Sequence, residues 1–344
     1  MANIRDIAEL AGVSVATVSR ALRRPEVVKP ATIEKVEEAI RKLDYTPNAL
    51  ASNLRRQKSD SIVVAVPDIQ NPFFAAVIQG VQSVATESGY KVLLGETGHD
   101  QDRLDRYAEM MIRKEADGLI LLGAQLPSVI KDAGKPTSAT EFPAVFACEY
   151  QLSLEWPRVR IDNFRAAAQA VRHLTALGHK SIAHIAGPLD NPLTTERQAG
   201  FESAIREAGL AVQASLVLPG DFSIQSGYKA MKELLANADA FTAVFCASDE
   251  MAIGALRAIA EADLKVPDDI SVVGFDNIKF AEFASPPLTT IAQPCFEIGE
   301  NAMNLMLGLL RGDADAIHEV VLQHRLINRA STGQARRKRR NSAA

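Results

Sequence analysis

Arg20 stands one helical turn beyond Val15, Ala16 and Thr17, with Ser19 beside it. A guanidinium so placed can bond bidentately to guanine, whereas Val15 and Ala16 offer only apolar contact, for example to a thymine methyl. Farther along, Phe73 and Phe74 follow Asp68 and Asn71, Arg197 closes a stretch that begins at Gly187, and Asp276 follows Val273. Aromatic faces with a few Arg and Asp groups suit a polyhydroxylated ligand, the rings stacking and the charged groups bonding hydroxyls. Arrangements for catalysis are missing: the chain has no G-x-G-x-x-G after a strand, no P-loop and no G-x-S-x-G elbow. Its six histidines include no H-x-x-x-H, and His179 and His184 lie five apart across a turn and a strand, as structural histidines do. Asp100, Asp102 and Asp105 alternate at a helix start and read as a solvated cap. No enzyme, cofactor or metal is expected.

The elements that must position Arg20 are short helices. Asn3 can cap the first, with Asp6 favoured by the helix dipole and Ile4, Ile7, Ala8 and Ala11 on one face. Gly12-Val13-Ser14 breaks it, and Ser14 caps a second helix from Val15 to about Arg23. Val13, Val18 and Leu22 are expected to face inward. A third helix, Thr32 to Leu43, adds Ile33, Val36, Ile40 and Leu43, with Pro25 and Pro30 fencing the loop before it. This is a helix-turn-helix pattern, whose second helix would carry Ser14, Val15, Ala16, Thr17, Ser19 and Arg20 into a major groove. A small three-helix domain that binds protein fits the same pattern. Next, Thr46 and Pro47 open a helix of roughly nine residues, too short to persist unless docked. Leu54 beside Arg55 and Arg56 there suits a wedge between base steps; the bland alternative is a linker.

Charge divides accordingly. The net −4 splits into +3 for residues 1–60 (11 Lys/Arg, 8 Asp/Glu) and −7 for the rest (27 against 34). A basic head before an acidic body suits a protein that presents one end to phosphates. The length of 344 residues implies two or three domains, and no window reaches the ~18 apolar residues of a membrane span. Asp6 falls where a secretory signal would begin its apolar core, so a cytoplasmic protein is expected. Cys148, Cys246 and Cys295 are widely spaced and read as small buried hydrophobes.

From Ser61 apolar runs alternate with helical stretches. Ile62–Val66, Val92–Leu94, Leu119–Leu122, Val145–Ala147, Ile182–Ala186, Ala243–Cys246 and Ile270–Val273 read as buried parallel strands. Phe73–Ser88, Gln101–Lys114, Asn163–Leu177, Arg197–Ala208, Ile224–Asn237 and Asp249–Ala262 read as helices, so doubly wound parallel sheets are expected. The body repeats: Gly80 to Gly89 aligns with Gly200 to Gly209 at an offset of 120, each after a strand and an Asn-Pro. Two α/β lobes follow, with a ligand cleft at the carboxyl ends of their strands. Topology brings there Asp68, Asn71, Phe73, Phe74, Gly123-Ala124-Gln125, Asp162-Asn163, the 187–197 loop, Ser248-Asp249-Glu250 and Asp276-Asn277. The competing reading makes the phenylalanines core residues and Asp162 and Asp249 helix caps.

Asn3 through Leu22, followed by Tyr45-Thr46-Pro47-Asn48-Ala49 and Leu54-Arg55, resembles the DNA-binding head of the lactose-repressor (LacI/GalR) family. Val66 to Phe74, Asp117-Gly118-Leu119-Ile120, Ile161-Asp162-Asn163, Arg197 to Phe201, Ser248 to Gly254 and Gly274 to Asn277 are similar to that family's periplasmic-binding-protein-like effector domain, a likeness that runs to about Ser331. The resemblance implies a helix-turn-helix domain (1–45), a hinge helix and linker (46–60), a two-lobed effector-binding and dimerisation domain (61–331), and a basic disordered tail (332–344). The lobes would be 61–161 with 292–322, and 162–291 with 323–331. It implies that Val15, Ala16 and Arg20 read bases, that Leu54 intercalates, and that Asn48, Ala51 and Arg55 join them on DNA. Val15 and Ala16 depart from the polar residues common there, so no operator sequence carries over. Phe73, Phe74, Arg197, Phe222 and Asp276 would line the effector site, completed by Ala124, Glu149, Asp162, Asn191 and Ser248. The implied protein is a homodimeric repressor on a pseudo-palindromic operator, with operator affinity set by a small effector. The stretches 121–127, 185–188 and 283–294 look closest to the cytidine-repressor branch, which implies a nucleoside or ribose-like effector. Asn191 stands where responders to free purines carry Arg, while Arg197 and Asp276 would serve a sugar equally well. A sugar-binding protein or an α/β enzyme is the alternative to a regulator.

Overall fold

The computed structural model describes residues 2–45, 58–131, 141–150, 156–236, 240–313 and 319–336. The hinge positions Asn48, Ala51, Leu54 and Arg55 lie outside the described residues, as does the basic run from 337 onward. Two compact units result, Met1–Lys58 and Ser59–Ala344.

The first unit holds α1 (Ile4–Ala11), α2 (Val15–Arg23), a 3-10 turn (Pro25–Val27) and α3 (Pro30–Leu43). Asn3 and Asp6 cap α1 reciprocally: Asn3 Oδ1 accepts from Arg5 N at 2.8 Å, and Asn3 N donates to Asp6 Oδ2 at 2.8 Å. Gly12 ends α1 at φ 66°, a conformation a Cβ would strain, and this tight exit lets α2 start three residues later. Ile7, Ala8, Ala11, Val18, Ala21, Val36 and Ala39 form the buried core. Two details differ from the sequence reading. Proline's fixed φ suits the first helical position, so α3 starts at Pro30 rather than Thr32. Ala21, at i+3 from Val18, takes the inward place expected of Leu22, which is 37% exposed.

The second unit runs β1 (Ser61–Val66), α4 (Pro72–Glu87), β2 (Lys91–Glu96), α5 (Gln101–Ile112), β3 (Gly118–Leu121), the single turn α6 (Ser128–Lys131), β4 (Ala144–Ala147) and β5 (Arg158–Ile161). It continues with α7 (Asn163–Ala176), β6 (Ile182–Ala186), α8 (Pro192–Glu207), β7 (Val217–Pro219), α9 (Ile224–Leu235), β8 (Ala243–Cys246), α10 (Asp249–Glu261) and β9 (Ser271–Asp276). Last come β10 (Thr289–Ala292), α11 (Cys295–Arg311), β11 (Glu319–Leu322) and β12 (Arg325–Ile327). Two six-stranded sheets form, ordered β2-β1-β3-β4-β5-β11 and β7-β6-β8-β9-β10-β12. All neighbours pair parallel except β10 with β12. Both sheets reverse strand order beside their first strand, between β1 and β3 and between β6 and β8. The carboxyl ends at those points leave a crevice. The repeat is structural: α4 and α8 occupy the same place in their lobes, 120 residues apart.

Other expectations need correction. The helix expected from Arg197 begins at Pro192, capped by Asn191, whose Oδ1 accepts from Leu193 N at 2.8 Å. Arg197 is therefore held on a helix rather than on a loop. The β2 strand is a sheet edge, not a buried strand, with Leu93 38% and Leu94 47% exposed. Residues 332–336, assigned above to a disordered tail, lie along the second lobe. There Gly333 N donates to Ser271 Oγ at 3.1 Å, Ala335 N donates to the Leu177 carbonyl at 2.9 Å, and Arg336 pairs with Asp269 at 2.5 Å.

Candidate functional sites

On α2, Val15, Ala16 and Arg20 are exposed while Thr17 and Ser19 are half-buried. Positions 16, 19 and 20 share one face by their three- and four-residue spacing. Ser14 Oγ accepts from Thr17 N at 3.1 Å and shares a hydrogen bond with Thr17 Oγ1 at 2.9 Å. Both hydroxyls are thus tied to the start of the helix, and Arg20 is left as the charged group on the exposed face.

In the second unit a cavity opens where the strands of both sheets end. Phe73, Phe74, Glu149, Arg197, Phe222, Ser248 and Asp276, all expected there, line it. Ala124 and Asn191 line a wider outer extension that shares Glu149 with it. Asp162 lines neither. It caps α7, accepting from Arg165 N at 2.9 Å, so its place in the effector set is a correction. Asp249 is also outside the cavity lining and fully buried, accepting from Ile278 N at 2.8 Å and Thr290 Oγ1 at 2.5 Å. The phenylalanines answer to both readings: Phe73 and Phe74 belong to the core, meet edge to face at 5.2 Å, and still line the cavity.

Arg197 is the centre of this site. Its Nε donates to Asn163 Oδ1 at 2.9 Å, its Nη1 to the Ala247 carbonyl at 2.7 Å, and the guanidinium lies 3.8 Å over the Phe275 ring. These contacts fix the planar group and leave its other nitrogen to the cavity. Burial lowers its proton affinity, and the carboxylates of Asp276 and Glu149 oppose that. Burial in turn raises Asp276 to about 6, against the pull of Arg197 and of Gln293, whose Nε2 donates at 2.7 Å. Glu250 is raised to about 7 by burial and by Asp68 and Asp276. Glu149 is raised by burial, and hydrogen bonds from Asn191 and from Ala124 N, the latter at 2.8 Å, counter the rise. Glu149 thereby links the lobes, as does its neighbour Tyr150, which donates to Glu196 on α8.

Several lining residues escaped the sequence reading: His99, Cys148, Asp221, Ser223 and Gln293. Asp221 and Ser223 follow β7, a three-residue strand too short to leave an apolar run. His99 follows β2 by three residues, so counting strand ends would have found it.

Comparison with known proteins agrees with this architecture. Residues 3–48 match the family model described as bacterial regulatory proteins, lacI family, and residues 171–332 match a periplasmic binding protein-like domain. The chain is 43% identical over 331 residues to the HTH-type transcriptional repressor CytR of Escherichia coli (strain K12), covering 96% of each. The solved lac repressor dimer bound to operator and the anti-inducer ONPF superposes with a TM-score of 0.86 at 30% identity, covering 96% of this chain and 99% of that one. A complex of the transcriptional regulator CelR with cellobiose gives a TM-score of 0.71 at 33% identity, covering 96% and 100%.

Proposed function

The chain belongs to the lactose-repressor (LacI) family of bacterial regulatory proteins, and from that premise we propose a repressor whose hold on its operator is set by a neutral, polyhydroxylated effector in the interlobe cavity. The observation that carries this reading is the joint presence, in one chain, of a helix-turn-helix and a cavity lined by Arg197 and Asp276. A homodimer would place one α2 in each half of a pseudo-palindrome, with Arg20 reading a guanine and Val15 and Ala16 packing on methyl groups. Residues 48–55 would dock in the minor groove between the half-sites. A protein acting on the chromosome works in the cytoplasm, and the cavity binds its ligand without transforming it.

The cavity's charge narrows the effector. Asp68, Glu149, Asp221, Glu250 and Asp276 line it against the one guanidinium of Arg197, which already holds Asn163 and Ala247. A phosphate would meet these carboxylates at close range, so an unphosphorylated ligand is selected. Carboxylates accept from hydroxyls, Arg197 donates to one, and Phe74 and Phe222 offer faces for stacking. A nucleoside meets all three demands at once; a sugar, as in the CelR–cellobiose complex, is the second reading, favoured by the wide outer extension.

The test is titration of the full-length protein onto DNA from upstream of its own gene, at two salt concentrations, with and without cytidine, uridine, adenosine or cellobiose. Salt-dependent binding that a nucleoside alters is expected. Arg197→Ala should bind the same DNA and lose the response. A ligand at 100 times its Kd raises stability by about 2.7 kcal/mol, enough to register as a thermal shift. Binding that is indifferent to salt and to every ligand would remove the proposal.

A further inference from the structure

Among the described residues, two buried side-chain polar atoms have no hydrogen-bond partner, His184 Nε2 and Thr194 Oγ1. His184 is packed between the rings of Phe201 and Phe245 at 4.8 and 4.9 Å, where the apolar contact explains the vacant nitrogen. Thr194 has no such explanation. A hydroxyl with nothing to bond is costly to bury, and this residue is only 2% exposed.

Its position in the fold points to the cavity. Asn191, Thr194 and Arg197 follow one another at three-residue spacing along the start of α8, so they share a face. Arg197 lines the cavity and Asn191 its outer extension. Thr194 lies close to the tip of Phe222. A Cβ built on Gly187 would stand 2.3 Å from Phe222 Cζ and 2.5 Å from Thr194 Oγ1, so ring tip and hydroxyl crowd the same point. Phe222 lines the cavity and Thr194 does not. Phe222 also has φ +69°, a left-handed conformation that an aromatic residue adopts only under constraint. The constraints are visible: Ser223 N donates to Asp221 Oδ1 at 2.9 Å, and Ser248 Oγ donates to the Phe222 carbonyl at 3.3 Å.

We propose that Thr194 is a specificity-determining residue of the cleft, reached when a ligand stacked on the Phe222 ring shifts that ring, and that its hydroxyl then bonds a polar group of that ligand. This rests on the reading of the cavity as the effector site. The hydroxyl gains a partner by that movement, so a ligand with a polar group at that point gains from it. A ligand lacking one gains nothing there.

The test uses full-length wild type, Thr194→Val, Thr194→Ser and Arg197→Ala, with melting midpoints and calorimetric titration of cytidine and cellobiose. Valine matches threonine in shape and lacks the hydroxyl. Thr194→Val should therefore melt at or above wild type without ligand, yet bind the better probe about tenfold more weakly, while Thr194→Ser stays near wild type. Opposite signs for stability and affinity are what a merely structural hydroxyl would not produce. A lower ligand-free midpoint for Thr194→Val, or an unchanged Kd, overturns the proposal. If Arg197→Ala loses the ligand while Thr194→Val keeps it, this proposal alone falls. Wild type that binds neither probe brings down the cavity reading and this inference with it.

Discussion

Arg20 projects from the exposed face of α2, whereas Arg197 is 3% exposed and fixed by Asn163, Ala247 and the ring of Phe275. One guanidinium is free to find its partner on another molecule, and the other is already organised within its own. Removing Arg20 should leave the fold nearly untouched, since exposed substitutions away from caps and cores stay within about 0.5 kcal/mol. It should cost operator discrimination, about 1–3 kcal/mol at a single base pair. Binding of Arg20→Ala to a set of operators, each changed at one position, checks this: preference should flatten at one symmetric pair of positions and persist elsewhere. Uniform weakening at all positions would mean that Arg20 meets phosphate instead. At this scale the sequence was informative where residue type limits use. The order of strands and loops placed Phe73, Phe74, Arg197 and Asp276 at the cavity they line. It failed for Asp162 because an acid after a strand serves a ligand and a helix start equally well, and only the bond to Arg165 N separates the two.

Helices α4 and α8 show why the repeat was readable. Gly80 and Gly200, the glycines that open the aligned segments, lie where each helix crosses another at backbone contact. A Cβ at Gly80 would be 2.0 Å from the Phe296 carbonyl oxygen on α11, and one at Gly200 would be 2.2 Å from that of Phe164 on α7. The crossing demands glycine in both lobes. In a free helix alanine would gain roughly 1 kcal/mol over glycine. Here the helices must part, and overpacking costs about 1–3 kcal/mol or more, so the clash outweighs the propensity. Gly80→Ala and Gly200→Ala should both lower the melting midpoint by several degrees. Gly200→Ala should also weaken effector binding more than Gly80→Ala does, because α8 carries Arg197 one turn earlier. An unchanged midpoint in either variant would show that the crossing can relax. By contrast α11 left little trace in the sequence. It follows Pro294 with no side-chain cap, so the start signal that marks most other helices is missing although its buried residues keep helical spacing against α4 and the sheet.

For the whole second unit, proton binding ties the cleft to stability and to the ligand. Asp276 moves from an ordinary 3.8 to about 6 and Glu250 from 4.5 to about 7, so the folded protein holds protons that the unfolded chain has released. Their stabilising contribution is complete below pH 4 and is lost as pH rises through 6 and 7. His184 runs the other way: burial lowers it from 6.5 to about 4, so its contribution is present above pH 6.5 and lost as pH falls toward 4. The two trends oppose each other in the ligand-free protein. A bound polyol breaks the balance, because hydroxyl donors favour ionised carboxylates, whereas His184 does not line the cavity. Effector binding should therefore release protons between pH 5 and 7, and affinity should rise across that range, approaching tenfold per pH unit where one full proton is released. Titration calorimetry in two buffers of different ionisation enthalpy measures the proton count directly. Asp276→Asn should reduce both the count and the pH dependence. It should also raise the ligand-free melting midpoint near pH 7.5, where wild type carries the charge beside Asp249 and Glu250. Proton uptake on binding, or a wild-type affinity that does not vary with pH, would mean that the ligand meets these carboxyl groups in their neutral form, donating rather than accepting.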